Sequence, residues 1–218
     1  MSVDQKMIEK AERFLKDMFN NSSYMREHPS DREYRLQHSY RVANIGRMIA
    51  QKEGFDETEM TIACLFHDIA YCERFQTEGD WINHGRNSAR IARPFLESLD
   101  IEQERIQDIC YGIAIHVDDR ADFDGVHTAF AESVGDADNI DRYDVYRIYE
   151  GLQYMKFSEL SFMDKMEKVD SILIKSRENL NMKLGTNTAT EMWKQRIEYK
   201  ISFYNKLKEQ LSYSNSIT

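Results

Sequence analysis

The sequence has 218 residues, of which 31% are charged and 41% are hydrophobic, and its formal net charge at pH 7 is -9. This length is enough for a sizeable core, and the balance of residues does not imply an intrinsically disordered chain. Proteins that bind the backbone of a nucleic acid usually concentrate positive charge, so the acidic balance argues against a nucleic-acid polymer as partner. Only 2 prolines and 9 glycines are present, which favours long helices over many short strands.

The amino-terminal segment and the cysteines indicate a cytoplasmic protein. The segment is charged throughout and lacks the apolar core of a signal peptide. No apolar run approaches the roughly 20 residues needed to cross a bilayer, so we expect no membrane partner. Cys64, Cys72 and Cys110 form no CxxC pair, and their odd number argues against a disulfide framework. We expect Cys64 and Cys110 to pack in the core.

Hydrophobic residues recur at helical spacing through most of the chain, which predicts an all-α fold. The predicted helices cover the segment up to about residue 20 and residues 35–52, 56–69, 84–99, 101–115, 130–153 and 188–211. Polar stretches predict loops at 22–31, 72–83 and 117–128 and near Gly185. Pro94 is expected to kink or divide the helix that contains it.

A His-Asp pair, His67-Asp68, follows an apolar run near the end of a helix that we expect to be buried. Burying an ionised aspartate is costly unless a partner compensates its charge. Neighbours on a helix point about 100° apart, so a cation lying between them can contact both. Imidazole and carboxylate together suit Mn, Fe, Co, Ni or Zn and, less readily, Mg. By itself such a pair is more often an ordinary ion pair or a histidine at a helix end.

Further along the chain, Asp138 and Asp141 are three residues apart and share a helix face. We expect their acidic neighbours Asp136 and Asp144 to lie on a solvated face. The pattern therefore makes Asp138 a candidate ligand for the same cation.

Closer to the amino terminus, His38 lies three residues before Arg41, again on one helix face. A histidine on a metal beside an arginine suits a bound phosphate, because arginine forks onto phosphate oxygens while the metal polarises the phosphorus centre. A surface salt bridge is an equally good interpretation of Arg41.

The order of these residues resembles the HD superfamily of metal-dependent phosphohydrolases. The family pattern is a histidine, then an adjacent His-Asp pair, then a distant aspartate, all on helices. HSYRVA resembles its first motif, ACLFHDIA its second and DADNID its last, while DWINHGRNSARIA resembles a segment of small, stand-alone bacterial members. The resemblance implies an HD-type helical bundle. We expect one domain over residues 1–218, with a core at about 30–155 and a packed C-terminal helical extension at about 156–211.

The resemblance also implies a metal site and a reaction. The ligands of the divalent ion (Mn, Mg, Fe, Co, Ni or Zn) would be His38, His67, Asp68 and Asp138. Metal-activated water would attack phosphorus in a small phosphorylated substrate, commonly a nucleotide. Asp68, or another acid nearby, would take the proton of the water, and Arg41 would assist as the second catalytic residue.

Two further histidines leave alternatives open. His84 and His116 lie between the pair and the last aspartate, which is the order of HD proteins that bind a second metal ion. Alternatively, His84 and Arg86 contact the substrate phosphate, and His116 makes a helix-dipole contact. The six-residue order also occurs in di-iron HD-fold oxygenases, and a regulatory HD module without catalysis is a third interpretation. The exact substrate and the oligomeric state stay open.

Overall fold

The computed structural model describes residues 3–214, which form ten α-helices and no strand. The helices are α1 (Val3–Asn21), α2 (Ser23–Glu27), α3 (Pro29–Glu53), α4 (Glu57–Phe66), α5 (Glu78–Glu97), α6 (Gln103–Ile115), α7 (Ala129–Tyr143), α8 (Val145–Tyr154), α9 (Phe162–Asn179) and α10 (Asn187–Ser212). Two short 3₁₀ turns lie at Ile69–Cys72 and Phe157–Glu159. The predicted all-α fold is confirmed. Within this part of the chain no helix combines the length and apolarity that crossing a bilayer requires.

The chain forms two compact units, one ending at Asp138 and the other beginning at Asn139. The single domain expected from the sequence stays a prediction. In the first unit α4 is the central helix, because every residue from 60 to 66 is buried and the helix packs against α1, α3 and α6. The ring of Phe66 lies 5.3 Å from that of Phe95 on α5. A helix that is apolar on all sides is typical of a protein core.

Close approach between helices in this unit depends on two glycines. A Cβ atom on Gly46 of α3 would collide with the Sγ atom of Cys64 on α4. A Cβ atom on Gly85 of α5 would lie 2.6 Å from the carbonyl oxygen of Ala114 on α6. Cys64 and Cys110 are both fully buried, which confirms their expected core packing.

The amino-terminal boundaries of two helices differ from the predictions. The loop predicted at 22–31 is wrong, because Ser22 caps α2 and α3 begins at Pro29. Proline suits the first position of a helix, where its missing N–H is not needed. The loop predicted at 72–83 is also too long, since α5 begins at Glu78. Thr77 and Asp80 form a capping box there, in which each side chain accepts a hydrogen bond from the backbone N–H of the other.

The continuity of two helices also differs from the predictions. α5 runs through Pro94 to Glu97, so the proline does not divide it, and the kink that was the alternative stays a prediction; Pro94 lies in the last turn of the helix. The helix predicted at 130–153 is instead two helices. Asp144 separates them, because its side chain accepts a hydrogen bond from the N–H of Val145 and caps α8.

The second unit has its own apolar core. Ile148 of α8, Val169 and Leu173 of α9 and Tyr204 of α10 form one buried cluster. Trp193 is buried nearby, and its indole N–H donates to the carbonyl oxygen of Asn179 at 2.8 Å. The long last helix predicted at 188–211 is confirmed by α10.

Candidate metal centre

Polar side chains from five helices of the first unit converge on one place, which we call the ligand cluster. Its members are His38 on α3, His67 at the end of α4, Asp68 at the start of the 3₁₀ turn, His84 on α5, His116 at the end of α6 and Asp138 on α7. The structure therefore brings together all six histidines and aspartates that the sequence singled out as ligands.

Three of these residues form the inner group: His38, His67 and Asp138. The Nε2 atom of His38 lies 3.2 Å from that of His67 and 3.1 Å from Oδ1 of Asp138. Oδ1 of Asp138 lies 3.9 Å from Nε2 of His67. His67 is fully buried and the His38 side chain is 4% exposed, so these donor atoms face one another out of contact with bulk water. The group has the composition and spacing of a metal site.

The outer group consists of His84 and His116. Their Nε2 atoms are 3.1 Å apart and lie 3.1 and 3.6 Å from Oδ1 of Asp68, respectively. The second oxygen of Asp68, Oδ2, lies 3.6 Å from Nε2 of both His38 and His67. One carboxylate thus faces both groups, with a different oxygen directed to each.

The hydrogen bonds of the histidines fix which nitrogen faces the cluster. The Nδ1 atoms of His67, His84 and His116 each lie 2.5–2.7 Å from the carbonyl oxygen three residues earlier in the chain. A carbonyl only accepts hydrogen bonds, so Nδ1 of each ring carries a proton, and Nε2 is the nitrogen that each ring directs to the cluster. At the ends of α4 and α6 the bonded carbonyls belong to the last helical turn, which has few other donors.

This arrangement fits a bound cation. The two Nε2 atoms of the outer group would direct lone pairs at each other at 3.1 Å, which is unfavourable unless a proton or a metal ion lies between them. Ligand nitrogens bonded to one ion at about 2.1 Å are themselves about 3.0–3.4 Å apart, which matches the separation of the two Nε2 atoms in the inner group, 3.2 Å, and in the outer group, 3.1 Å. Backbone acceptors behind metal-bound histidines are the usual means of orienting them.

The protonation states of the buried ligands also suit a bound cation. Burial lowers the pKa of His67 to about 4, so the ring is neutral near pH 7. Burial by itself would raise the pKa of Asp68, but His67, His116, His84 and Arg35 together hold it well below its ordinary value. The pKa of Asp138 is about 2, because the hydrogen bond from His38 and the charges nearby outweigh burial. Both carboxylates are therefore ionised.

An arginine that the sequence interpretation missed contacts this cluster. Nη1 of Arg35 donates to Oδ2 of Asp68 at 2.8 Å, and its guanidinium carbon lies 3.3 Å from the centroid of the Tyr71 ring. Arg35 lies three residues before His38, so the helical spacing that singled out Arg41 on the other side applied equally to it. Arg41 is half-buried on the same helix, and its predicted catalytic role stays a prediction.

The remaining predicted residues have defined places. Arg86 forks onto both oxygens of Asp118, at 2.8 and 3.2 Å, and donates to the carbonyl oxygen of Arg120. It thereby ties α5 to the loop at 117–128. Asp136 is only 8% exposed, so the solvated face predicted for it is wrong; α7 is covered on several sides, as the full burial of Val134 and Ala137 shows.

Comparisons with known proteins identify the family. Residues 35–145, about half of the chain, match the HD domain family. The fold is also similar to the crystal structure of a predicted HD superfamily hydrolase from an uncultured Thermotogales bacterium. That match has a TM-score of 0.63 and 16% sequence identity, and it covers 93% of this chain and 91% of that chain. No curated protein matches the sequence at a significant level. The resemblance found in the motifs is thus confirmed, and the chain belongs to the HD domain family.

Proposed function

We propose that this protein is a metal-dependent phosphohydrolase that acts on a small phosphorylated substrate, which we expect to be a nucleotide. One observation carries the proposal: the two oxygens of Asp68 face two groups of imidazole nitrogens, with the guanidinium of Arg35 bonded to the same carboxylate. Membership of the HD family supports a divalent metal ion in this place.

In this proposal His38, His67, Asp68 and Asp138 would hold one divalent ion, and His84 and His116, together with Asp68, would hold a second. A divalent ion supplies Lewis acidity, which polarises a phosphoryl oxygen and makes a water more acidic. The chain contributes fixed ligands, whose orientation is set by the backbone carbonyls behind the histidines. Because the pKa of Asp68 is held low, this carboxylate suits the role of a ligand better than that of the group that takes a proton from water.

Arg35 provides positive charge beside the cluster. Its pairing with Asp68 and its stacking on Tyr71 hold the guanidinium in one place, where it can bind a phosphate oxygen of the substrate. Arg41 and Arg86 stay candidates for the same task. The net charge of -9 makes these few cations important, because an anionic substrate otherwise meets a negative protein.

The test begins with metal content and product release. The protein is purified without added metal, its metals are quantified, and phosphate and pyrophosphate release are measured on a nucleotide panel with Mn, Mg, Co and Ni. Asp68→Ala is compared with Asp17→Ala, which removes an exposed carboxylate of α1. We expect metal-dependent release that Asp68→Ala abolishes and Asp17→Ala preserves.

A second candidate, the di-iron oxygenase, is favoured by one observation, namely that His84 and His116 join the other four ligands. It predicts two irons per chain and no phosphate release with any metal. A regulatory module without catalysis predicts neither tightly bound metal nor release. The metal analysis and the release assay therefore separate all three interpretations.

A further inference from the structure

Aromatic side chains border the outer group of the ligand cluster. We call Tyr71, Phe75 and Trp81 the aromatic wall. The ring centroids of Tyr71 and Phe75 are 4.6 Å apart, those of Phe75 and Trp81 are 5.2 Å apart, and those of Tyr71 and Trp81 are 5.6 Å apart. The Tyr71 ring also lies 5.2 Å from that of His84. The wall is therefore continuous with the ligand cluster.

The wall becomes more exposed with distance from the cluster. Tyr71 and Phe75 are half-buried, while Trp81 is 51% exposed. Single exposed apolar residues are ordinary on protein surfaces. Three rings in mutual contact that lead into a polar cluster are instead the arrangement of a ligand pocket, in which an apolar surface ends in a few fixed polar groups.

The segment that carries the wall is held in place without a ligand. The backbone N–H groups of Gln76 and Thr77 both donate to Oδ2 of Asp80 at 2.8 Å, and the N–H of Asp80 donates to Oγ1 of Thr77. These bonds fix the chain between Phe75 and Trp81. Binding to a surface that is already ordered costs less conformational entropy than binding to a loose one.

The inner end of the wall meets a guanidinium group. That of Arg35 lies against the inner ring, Tyr71, and bonds Asp68. The site therefore offers a guanidinium and metal ligands at one end and flat apolar rings at the other. A matching substrate carries a phosphate at one end and a planar aromatic group at the other.

We propose that the aromatic wall binds the base of a nucleotide, and that Trp81 is the residue that selects nucleotides over phosphorylated compounds without a base. This inference rests on the proposed function, which places the phosphate at the ligand cluster. Stacking uses the π face that all bases share, so the wall accepts purines and pyrimidines alike. The side chain of Trp81 is a specificity determinant, and its backbone carbonyl separately orients His84.

The test compares matched compounds with and without a base. AMP and CMP are paired with ribose 5-phosphate, and ATP is paired with inorganic tripolyphosphate. Equilibrium binding and, where release occurs, kcat and KM are measured for the wild type, Trp81→Ala and Trp81→Phe. Ile82→Ala is the matched control, because Ile82 is the next residue and is 44% exposed. Because Trp81 is 51% exposed, its replacement should leave the fold intact, and circular dichroism of each variant checks this.

We expect Trp81→Ala to weaken binding of the nucleotides about 10-fold, as the loss of one stacking partner does. KM should rise while kcat stays nearly constant. Trp81→Phe should recover most of the binding, Ile82→Ala should behave as wild type, and the two compounds without a base should not distinguish the variants.

The two proposals fail in different ways. If nucleotide binding depends on Trp81 but the protein releases phosphate from no compound, the result supports base binding by the aromatic wall and contradicts the proposed hydrolase activity. Phosphate release with equal KM values in wild type and Trp81→Ala supports the hydrolase and overturns the wall. An equal loss for AMP and ribose 5-phosphate in Trp81→Ala also overturns it, since the effect would then come through His84.

Discussion

The inner and outer groups of the ligand cluster share Asp68 but differ in their surroundings. His67 of the inner group is fully buried, whereas the side chain of His84 in the outer group is 13% exposed and touches the aromatic wall. The inner group offers three residues besides the shared carboxylate and the outer group only two. A metal ion held by more protein ligands keeps fewer positions for water or substrate. We therefore expect the inner group to bind its ion more tightly and the outer group to meet the substrate.

Replacing one histidine in each group gives the largest expected contrast. His38→Gln should remove the tightly bound ion and lower phosphate release at least about 100-fold, because even residues behind the ligands cost 10- to 100-fold. His84→Gln should reduce the metal content from two ions per chain to one and leave the inner ion in place. Metal analysis after gel filtration, with release assays on the same samples, measures both effects.

The control for this pair is His28→Gln, an exposed histidine whose ring bonds the carbonyl oxygen of Tyr24 outside the cluster. It should retain the metal content and activity of the wild type. Equal metal loss in His38→Gln and His84→Gln would contradict the division into a tight and an open group.

The outer group can also be disturbed without touching a ligand. Gly85 lies where α5 approaches α6. A Cβ atom there would lie 2.6 Å from the carbonyl oxygen of Ala114 and 3.1 Å from Nδ1 of His116. Gly85→Ala should therefore push α5 away from α6, separate His84 from His116 and destabilise the fold by about 1–3 kcal/mol. We expect loss of the outer ion with retention of the inner one, measured by metal analysis and thermal unfolding.

Gly79→Ala is the matched control on the same helix. A Cβ atom at Gly79 has its nearest neighbour, Oγ1 of Thr77, at 3.5 Å, an ordinary contact. Alanine should be neutral there or stabilise the helix by up to about 1 kcal/mol. If both alanine variants kept two ions, the close approach of α5 and α6 would not be what maintains the outer group.

The same difference between the groups explains what the sequence could predict. His38, His67-Asp68 and Asp138 stand in motifs that can be recognised one by one, so the inner group followed from the family resemblance. The outer group stayed ambiguous, because whether His84 meets His116 depends on the distance between two helices. The sequence does not single out Arg35 for a similar reason: it lies as far from His38 as Arg41 does, and only the tertiary fold shows that its guanidinium reaches Asp68.

Local signals account for the errors in the fold. The capping box of Thr77 and Asp80 is present in the sequence, but the polar stretch around it predicts a loop, so the predicted start of α5 is six residues late. At Asp144 the error is the opposite one, because the sequence predicts one continuous helix where the structure has two. The side chain of Asp144 caps α8 and so separates it from α7. In both places side chains that bond the backbone decide where a helix begins.

The smallest predicted effect concerns Tyr71, which contacts both Arg35 and the aromatic wall. Burial raises the pKa of Tyr71 to about 12, so the ring is neutral and its face can hold the guanidinium of Arg35. Tyr71→Leu removes this contact, and since a cation–π contact contributes about 0.5–2 kcal/mol, activity should fall between about 2- and 30-fold. Tyr71→Phe keeps the ring face and should lose little.

A loss of activity in Tyr71→Leu can arise in two ways, and the choice of substrate distinguishes them. Displacement of Arg35 weakens contact with the phosphate, which AMP and ribose 5-phosphate both possess, whereas disruption of the wall affects only AMP. We therefore expect a KM increase for both compounds that is larger for AMP. An increase confined to AMP would mean that Arg35 keeps its place through Asp68 alone. The arginine would then belong entirely to the ligand cluster, and the aromatic wall would be an independent part of the site.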